Sequence, residues 1–205
     1  RSGASDNSAF SLETDPDQKL LGQTTGKVAL IGDSQMQNVA GIGNKLGKLY
    51  PEAKRLAKHS SHAGDFSYGN KYHRNFIETV SGASKVIFSL GGHPRTKGAD
   101  VKSLIDIVKQ HAIENVEIIW IGAPPATAPH PKARVNYTKQ NNWNIKYNKR
   151  KSKNENVIRP VVETMGVKFI NPYNYISYEE CENNAQTNVS KDGIHMSISQ
   201  GKKFI

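Results

Sequence analysis

Three side chains in this 205-residue sequence have the types from which nucleophilic acyl transfer is built. Ser34 closes the run Ile31-Gly32-Asp33-Ser34, directly after an apolar stretch. Asp192 and His195 stand three apart in Asp192-Gly193-Ile194-His195, with His195 161 positions beyond the serine. A serine hydroxyl is a poor nucleophile until a base takes its proton. An imidazole does this near neutral pH, and a carboxylate orients the imidazole. Asp and His three apart on a short turn can converge on one point. Each motif also has a plainer reading: Asp33 or Ser34 as a helix cap, Asp192 as an Asx-turn residue, His195 as a surface histidine.

What would bring these residues together is a repeating pattern from Lys27 onward. The runs 27–31, 85–90 and 116–121 are nearly all apolar, as buried parallel strands are. Each is stopped by a polar or Gly/Pro turn: Gly-Asp-Ser, Gly-Gly-His-Pro and Gly-Ala-Pro-Pro. A shorter strand is expected within 53–59, followed by the loop Ser60-Ser61-His62-Ala63-Gly64-Asp65, and a last one in 166–172. Helical spacing of apolar residues predicts helices over 35–49, 72–80 and 101–112, and a longer helical region over 142–165 interrupted near Pro160. Ser197 is placed to cap a short final helix. Five strands alternating with helices predict an α/β fold: a flavodoxin-like three-layer α/β/α sandwich with a five-stranded parallel sheet of order 2-1-3-4-5. In such sheets ligands bind beyond the carboxyl ends of the strands, where Ser34 and the other polar stops fall. Residues 1–22 are polar and Ser/Asp/Gly-rich and read as a linker or tail, leaving 23–205 as the domain.

Taken in order, these motifs resemble the SGNH (GDSL-type) hydrolase family over about residues 27–205. The resemblance makes Ser34 the nucleophile, His195 the base and Asp192 the acid that orients it. It makes the Ser34 amide and Gly64 donors of the oxyanion hole, with Gly69 as a rival for the glycine's place. In the third block the family has Gly-x-Asn-Asp, whereas this chain has Gly91-Gly92-His93-Pro94. His93 therefore takes the place of an oxyanion-binding asparagine. An imidazole N–H can also donate. His93 could instead contact substrate, or the chain could be a relative that only binds. The resemblance also implies a longer C-terminal helix than the chain contains, so a helix cut short is expected there.

The formal net charge of +10 invites a nucleic-acid reading. Its distribution argues otherwise. Residues 132–153 carry eight basic side chains and no acidic one, which leaves the rest of the chain near neutral. Tyr137, Trp143 and Tyr147 are interleaved with them. The segment reads either as a solvated helix face or as a grip on an anionic polymer at the site mouth. Arg95, Trp143 and Lys146 are the expected substrate contacts.

The single Cys181 excludes an internal disulfide framework and a Cys-rich zinc site. His59-x-x-His62 lacks the glutamate of a zinc-protease helix motif, and no metal or cofactor is expected. The resemblance implies a serine esterase that removes acetyl or other small acyl groups from a carbohydrate. The alternative is a non-catalytic glycan- or polyanion-binding module using 132–153. The expected partner is an acylated carbohydrate, anionic if the basic segment grips it, with nucleic acid ranked below it and no membrane span. A module of a larger protein, in an extracellular, cell-envelope or virion-associated setting, fits both readings.

Overall fold

The computed structural model describes residues 26–203 and 205, so the expected tail at 1–22 lies outside the described residues. Five parallel strands form one sheet: β1 (Val28–Gly32), β2 (Lys54–Ala57), β3 (Lys85–Ser89), β4 (Glu117–Ile121) and β5 (Lys168–Ile170). Their order is β2-β1-β3-β4-β5, as the pattern predicts. Helices α1 (Gly41–Leu49), α2 (His73–Val80), α3 (Gly98–His111), α4 (Trp143–Lys153) and α5 (Arg159–Thr164) cover the sheet, and α6 (Tyr178–Glu182), α7 (Asn184–Thr187) and α8 (Ile198–Gly201) follow β5.

The near-continuous apolar strands follow from burial on both faces. Ala29, Ile31, Phe88 and Trp120 pack with Phe76, Leu104 and Val162 on one side. Leu30, Ile87, Ile119 and Ile121 pack with Ile42, Leu46, Trp143 and Tyr147 on the other. The side chains alternate along each strand, so every strand serves both cores. In the first core Phe88 and Trp120 stack at 4.4 Å, and the indole N–H donates to the Leu90 carbonyl.

Two helix expectations are corrected. The predicted helix over 35–49 is instead a 3₁₀ turn at Ser34–Met36, an irregular step, and then α1 from Gly41. The cause is close packing: the Gly41 amide donates to the Met196 carbonyl, and a Cβ on Gly41 would lie 2.2 Å from the Ser197 carbonyl oxygen. Val39, an apolar residue within the span predicted as a helix, sits in the irregular step and is 83% exposed. The predicted break near Pro160 lies earlier, in a π-helical stretch at Asn154–Ile158 that joins α4 to α5. Pro160 is the second residue of α5, in the first turn, where a missing N–H is tolerated. The extra residue of the π turn aims the buried Asn154 amide at the end of β4. There it accepts from the Ala123 N–H and donates to the Ala123 carbonyl, both at 2.9 Å.

Candidate active site

The site forms where the β1 turn meets the loop before α8. Ser34 opens the 3₁₀ turn, with Asp33 as its cap: Asp33 Oδ1 accepts from the Gln35 N–H at 2.9 Å. This leaves the Ser34 hydroxyl above the sheet edge. Ser34 Oγ lies 2.7 Å from His195 Nε2, and His195 Nδ1 lies 2.6 Å from Asp192 Oδ2. The other Asp192 oxygen, Oδ1, accepts from the Ile194 and His195 backbone amides and from Ser190 Oγ. Burial alone would raise the Asp192 carboxyl. The bonds from the His195 ring and from the two amides outweigh it and hold the carboxyl down at about 2. An ionised Asp192 fixes the tautomer. Nδ1 carries the proton, and Nε2 is left to accept from the serine hydroxyl. Gly193, inside this turn, has φ +88°, and a Cβ there would lie 2.2 Å from Thr138 Oγ1, so only glycine fits.

The third-strand loop supplies His93. Its Nδ1 accepts from the Arg95 backbone N–H at 3.1 Å, which places the ring proton on Nε2. Burial, then the neighbouring His62 and Arg95, keep its titration below the ordinary histidine range. His93 is therefore a neutral ring with one N–H free to donate. The His62 ring stands 5.3 Å from it, beside Asp65.

A cavity of about 230 Å³ opens between these loops. Ser34, His195, His93, His59, Tyr137 and Arg150 are among its walls. The Tyr137 ring meets the His195 ring edge-on at 6.2 Å. Among the described residues, no group of three or more His, Cys, Asp or Glu side chains could hold a metal ion.

The basic segment has a structure of its own. Lys146, Arg150 and Lys153 are spaced four and three apart, which puts them on one face of α4. Each donates to backbone carbonyls of loops around the site. Lys146 Nζ reaches Tyr137 O at 2.6 Å, and Arg150 Nη1 reaches Pro124 O at 3.1 Å and Ile194 O at 3.2 Å. Lys153 Nζ reaches Pro94 O at 2.9 Å and Thr96 O at 2.8 Å. Lys132, Arg134, Lys139, Lys149 and Lys151 are exposed. The segment is thus part site scaffold and part solvated surface.

Ser34, His195 and His93 line the cavity, and Asp192 is bonded to His195 behind it. The other expected residues do not line it. Gly64 lies in the 3₁₀ turn Ala63–Phe66 behind His62, and a Cβ on it would be 3.0 Å from His62 Cε1. Arg95 is exposed and touches the site only through its backbone. Trp143 is a core residue, 7% exposed, packed against Tyr147 and Tyr178. Lys146 does not line the cavity itself but holds the backbone of Tyr137, which does. Gln35 went unread in the sequence: its Nε2 donates to Ile194 O at 2.8 Å, and its Oε1 accepts from Met196 N at 3.3 Å. Its place directly after Ser34 was the only available signal. Arg150 was visible only as one charge among eight.

A serine, an imidazole and a carboxylate joined by short hydrogen bonds at the carboxyl edge of a parallel sheet form the arrangement that serine hydrolases use. Comparison with solved structures places the sandwich itself: it is the SGNH hydrolase fold. Phospholipase A1 from Streptomyces albidoflavus NA297 superposes with a TM-score of 0.63 at 11% identity, covering 88% of this chain and 96% of that one. Est24, a carbohydrate acetylesterase from Sinorhizobium meliloti, gives 0.54 at 13% identity, covering 87% and 94%. A G-D-S-L family protein from Desulfitobacterium hafniense DCB-2 gives 0.50 at 13%, covering 86% and 93%. No protein-family profile and no curated protein matches the sequence.

Proposed function

We propose that this protein is a serine esterase that removes acetyl or similarly small acyl groups from a carbohydrate. The observation that carries the reading is the unbroken relay from Ser34 Oγ through His195 to Asp192, at 2.7 and 2.6 Å, on the wall of a cavity. Ser34 Oγ attacks the ester carbonyl as His195 Nε2 takes its proton. Asp192 stays ionised and stabilises the imidazolium. The oxyanion is met by the Ser34 amide and by His93 Nε2–H, which replaces an asparagine amide. His195 then protonates the leaving alcohol, and a water molecule, activated the same way, releases the acyl group.

The small-acyl part rests on size. About 230 Å³ falls below the usual ~300–1,000 Å³ of ligand pockets, which suits a short acyl chain better than a long one. The carbohydrate part rests on fold likeness to an acetylesterase whose substrate is a carbohydrate. An acylated cell-surface glycan as substrate would put the protein at the cell envelope or outside it. The test is p-nitrophenyl acetate hydrolysis, with fluorophosphonate labelling, by wild type and Ser34→Ala. Hydrolysis and labelling that both vanish in the variant support the reading. Hydrolysis that persists in Ser34→Ala overturns it.

A further inference from the structure

Arg150 is the one residue of the basic segment's cations to line the Ser34 cavity among the described residues. Its guanidinium is held on one side only. Nη1 donates to Pro124 O and Ile194 O, whereas Nε and Nη2 have no acceptor among the described residues. Those two N–H groups form the edge of the guanidinium that pairs with a carboxylate through two parallel bonds. Gly92 lies against that edge: a Cβ there would be 3.3 Å from Nη2 and 3.6 Å from Nε, so a side chain at this position would crowd it.

The surrounding charge agrees. Asp33 and Asp192 are near enough to attract Arg150, but neither forms an ion pair with it among the described residues. The one carboxylate on the cavity wall, Asp33, is buried and already accepts from the Gln35 amide. Lys146 and Lys153 flank Arg150 on the same helix face. A partly buried guanidinium with an unused fork is costly to keep without a directly bonded carboxylate. It gains most from a ligand that brings one.

We infer that Arg150 binds a carboxylate carried by the substrate, so that the preferred ester is acidic. This rests on the esterase reading above and names its substrate class. The carboxylate lies either on the alcohol side, as in an acetylated hexuronic acid, or on the acyl side, as in a hemisuccinate.

Binding is measured first on Ser34→Ala, where turnover cannot interfere. Methyl glucuronide, methyl glucoside, succinate and succinamide are titrated by calorimetry or by NMR. At least one acid should bind about tenfold or more tightly than its neutral counterpart. Preference for the glucuronide assigns the carboxylate to the sugar, and preference for succinate assigns it to the acyl group. Adding Arg150→Met should abolish the preference. Adding Arg150→Lys, which keeps the charge but not the fork, should cut it severalfold. Thermal melts identify any variant that fails to fold, and the lysine variant then decides. Equal binding of acid and neutral compound overturns the inference, as does a preference that survives in a folded Arg150 variant. If wild type hydrolyses no ester while Ser34→Ala still selects the acid, the esterase reading fails and the anion site stands.

Discussion

The Gln35 side-chain amide donates to the Ile194 carbonyl at 2.8 Å, tying the residue after Ser34 to the residue before His195. The same carbonyl also accepts from Arg150 at 3.2 Å. The Met196 amide closes the clamp on Gln35 Oε1. Ser34 and His195 come from turns 161 positions apart, and this buried side chain and one helix-borne cation join them, together with the Gly41 amide bond to the Met196 carbonyl. Gln35→Met keeps the volume and removes both bonds. It leaves the Met196 amide unpaired, and such a group costs about 1–3 kcal/mol. If a similar amount is lost from transition-state positioning, kcat falls by about 5- to 150-fold. Fluorophosphonate labelling of Ser34 should slow in step. Unchanged labelling would show that the clamp is dispensable.

His93 should behave as an oxyanion donor. Its Nδ1 is occupied by the Arg95 amide and the ring is kept neutral, so Nε2–H is the group it can offer. His93→Ala should lower kcat by about 10²–10³, the usual cost of one such donor, with little change in KM or in melting temperature. His93→Asn should recover part of the loss, because an amide N–H can take the same role. A loss confined to KM would make His93 a substrate contact instead.

The α4 cations separate into two groups. Lys153 holds the Pro94–Thr96 loop, just after His93, through two carbonyls, whereas Lys149 and Lys151 are exposed. Lys153→Met should reduce kcat/KM for p-nitrophenyl acetate about fivefold or more, on the order of one kcal/mol of lost positioning. The double variant Lys149→Ala/Lys151→Ala should leave that activity within about twofold. Equal losses would mean that the segment acts through its net charge and not through these bonds. Steady-state kinetics at two salt concentrations settle the matter.

The strands and their order were legible because parallel strands buried on both faces are written as short apolar runs with polar stops. Ser34 was legible for the same reason, since it sits at such a stop; Asp192 and His195, in the loop before α8, were legible through their spacing in a motif. Contacts made across the sheet edge were not. Gln35 looks like any polar residue in a turn, and nothing local says that it meets Ile194. Lys146, Arg150 and Lys153 show helical spacing, but a charged stripe is more often solvated, and only tertiary packing turns it toward carbonyls. Trp143 misled for the converse reason. An aromatic among lysines looks like a stacking platform, yet here it fills the core beside Tyr147. Val39 matched the helical period but fell in the step that the close contact of Gly41 with the Ser197 carbonyl imposes.

Acid should destabilise the fold partly through Asp192. The folded carboxyl titrates at about 2, below its ordinary value of 3.8. Between those values the unfolded chain binds the proton and the folded one does not, so stability rises with pH across this window. The contribution is fully present above about pH 4–5 and is lost as the pH falls toward 2. The full shift would be worth somewhat over 2 kcal/mol. The carboxylate is partly open to solvent, which screens it, so about 1–2 kcal/mol is expected. Asp192→Asn has no such titration. Urea midpoints for wild type and Asp192→Asn at pH 6, 4, 3 and 2 give the comparison. The wild type should be the more stable at pH 6, and the gap should narrow by about 1–2 kcal/mol by pH 2. A gap that stays constant would mean that the His195 and backbone bonds to Asp192 do not hold its charge in the folded state.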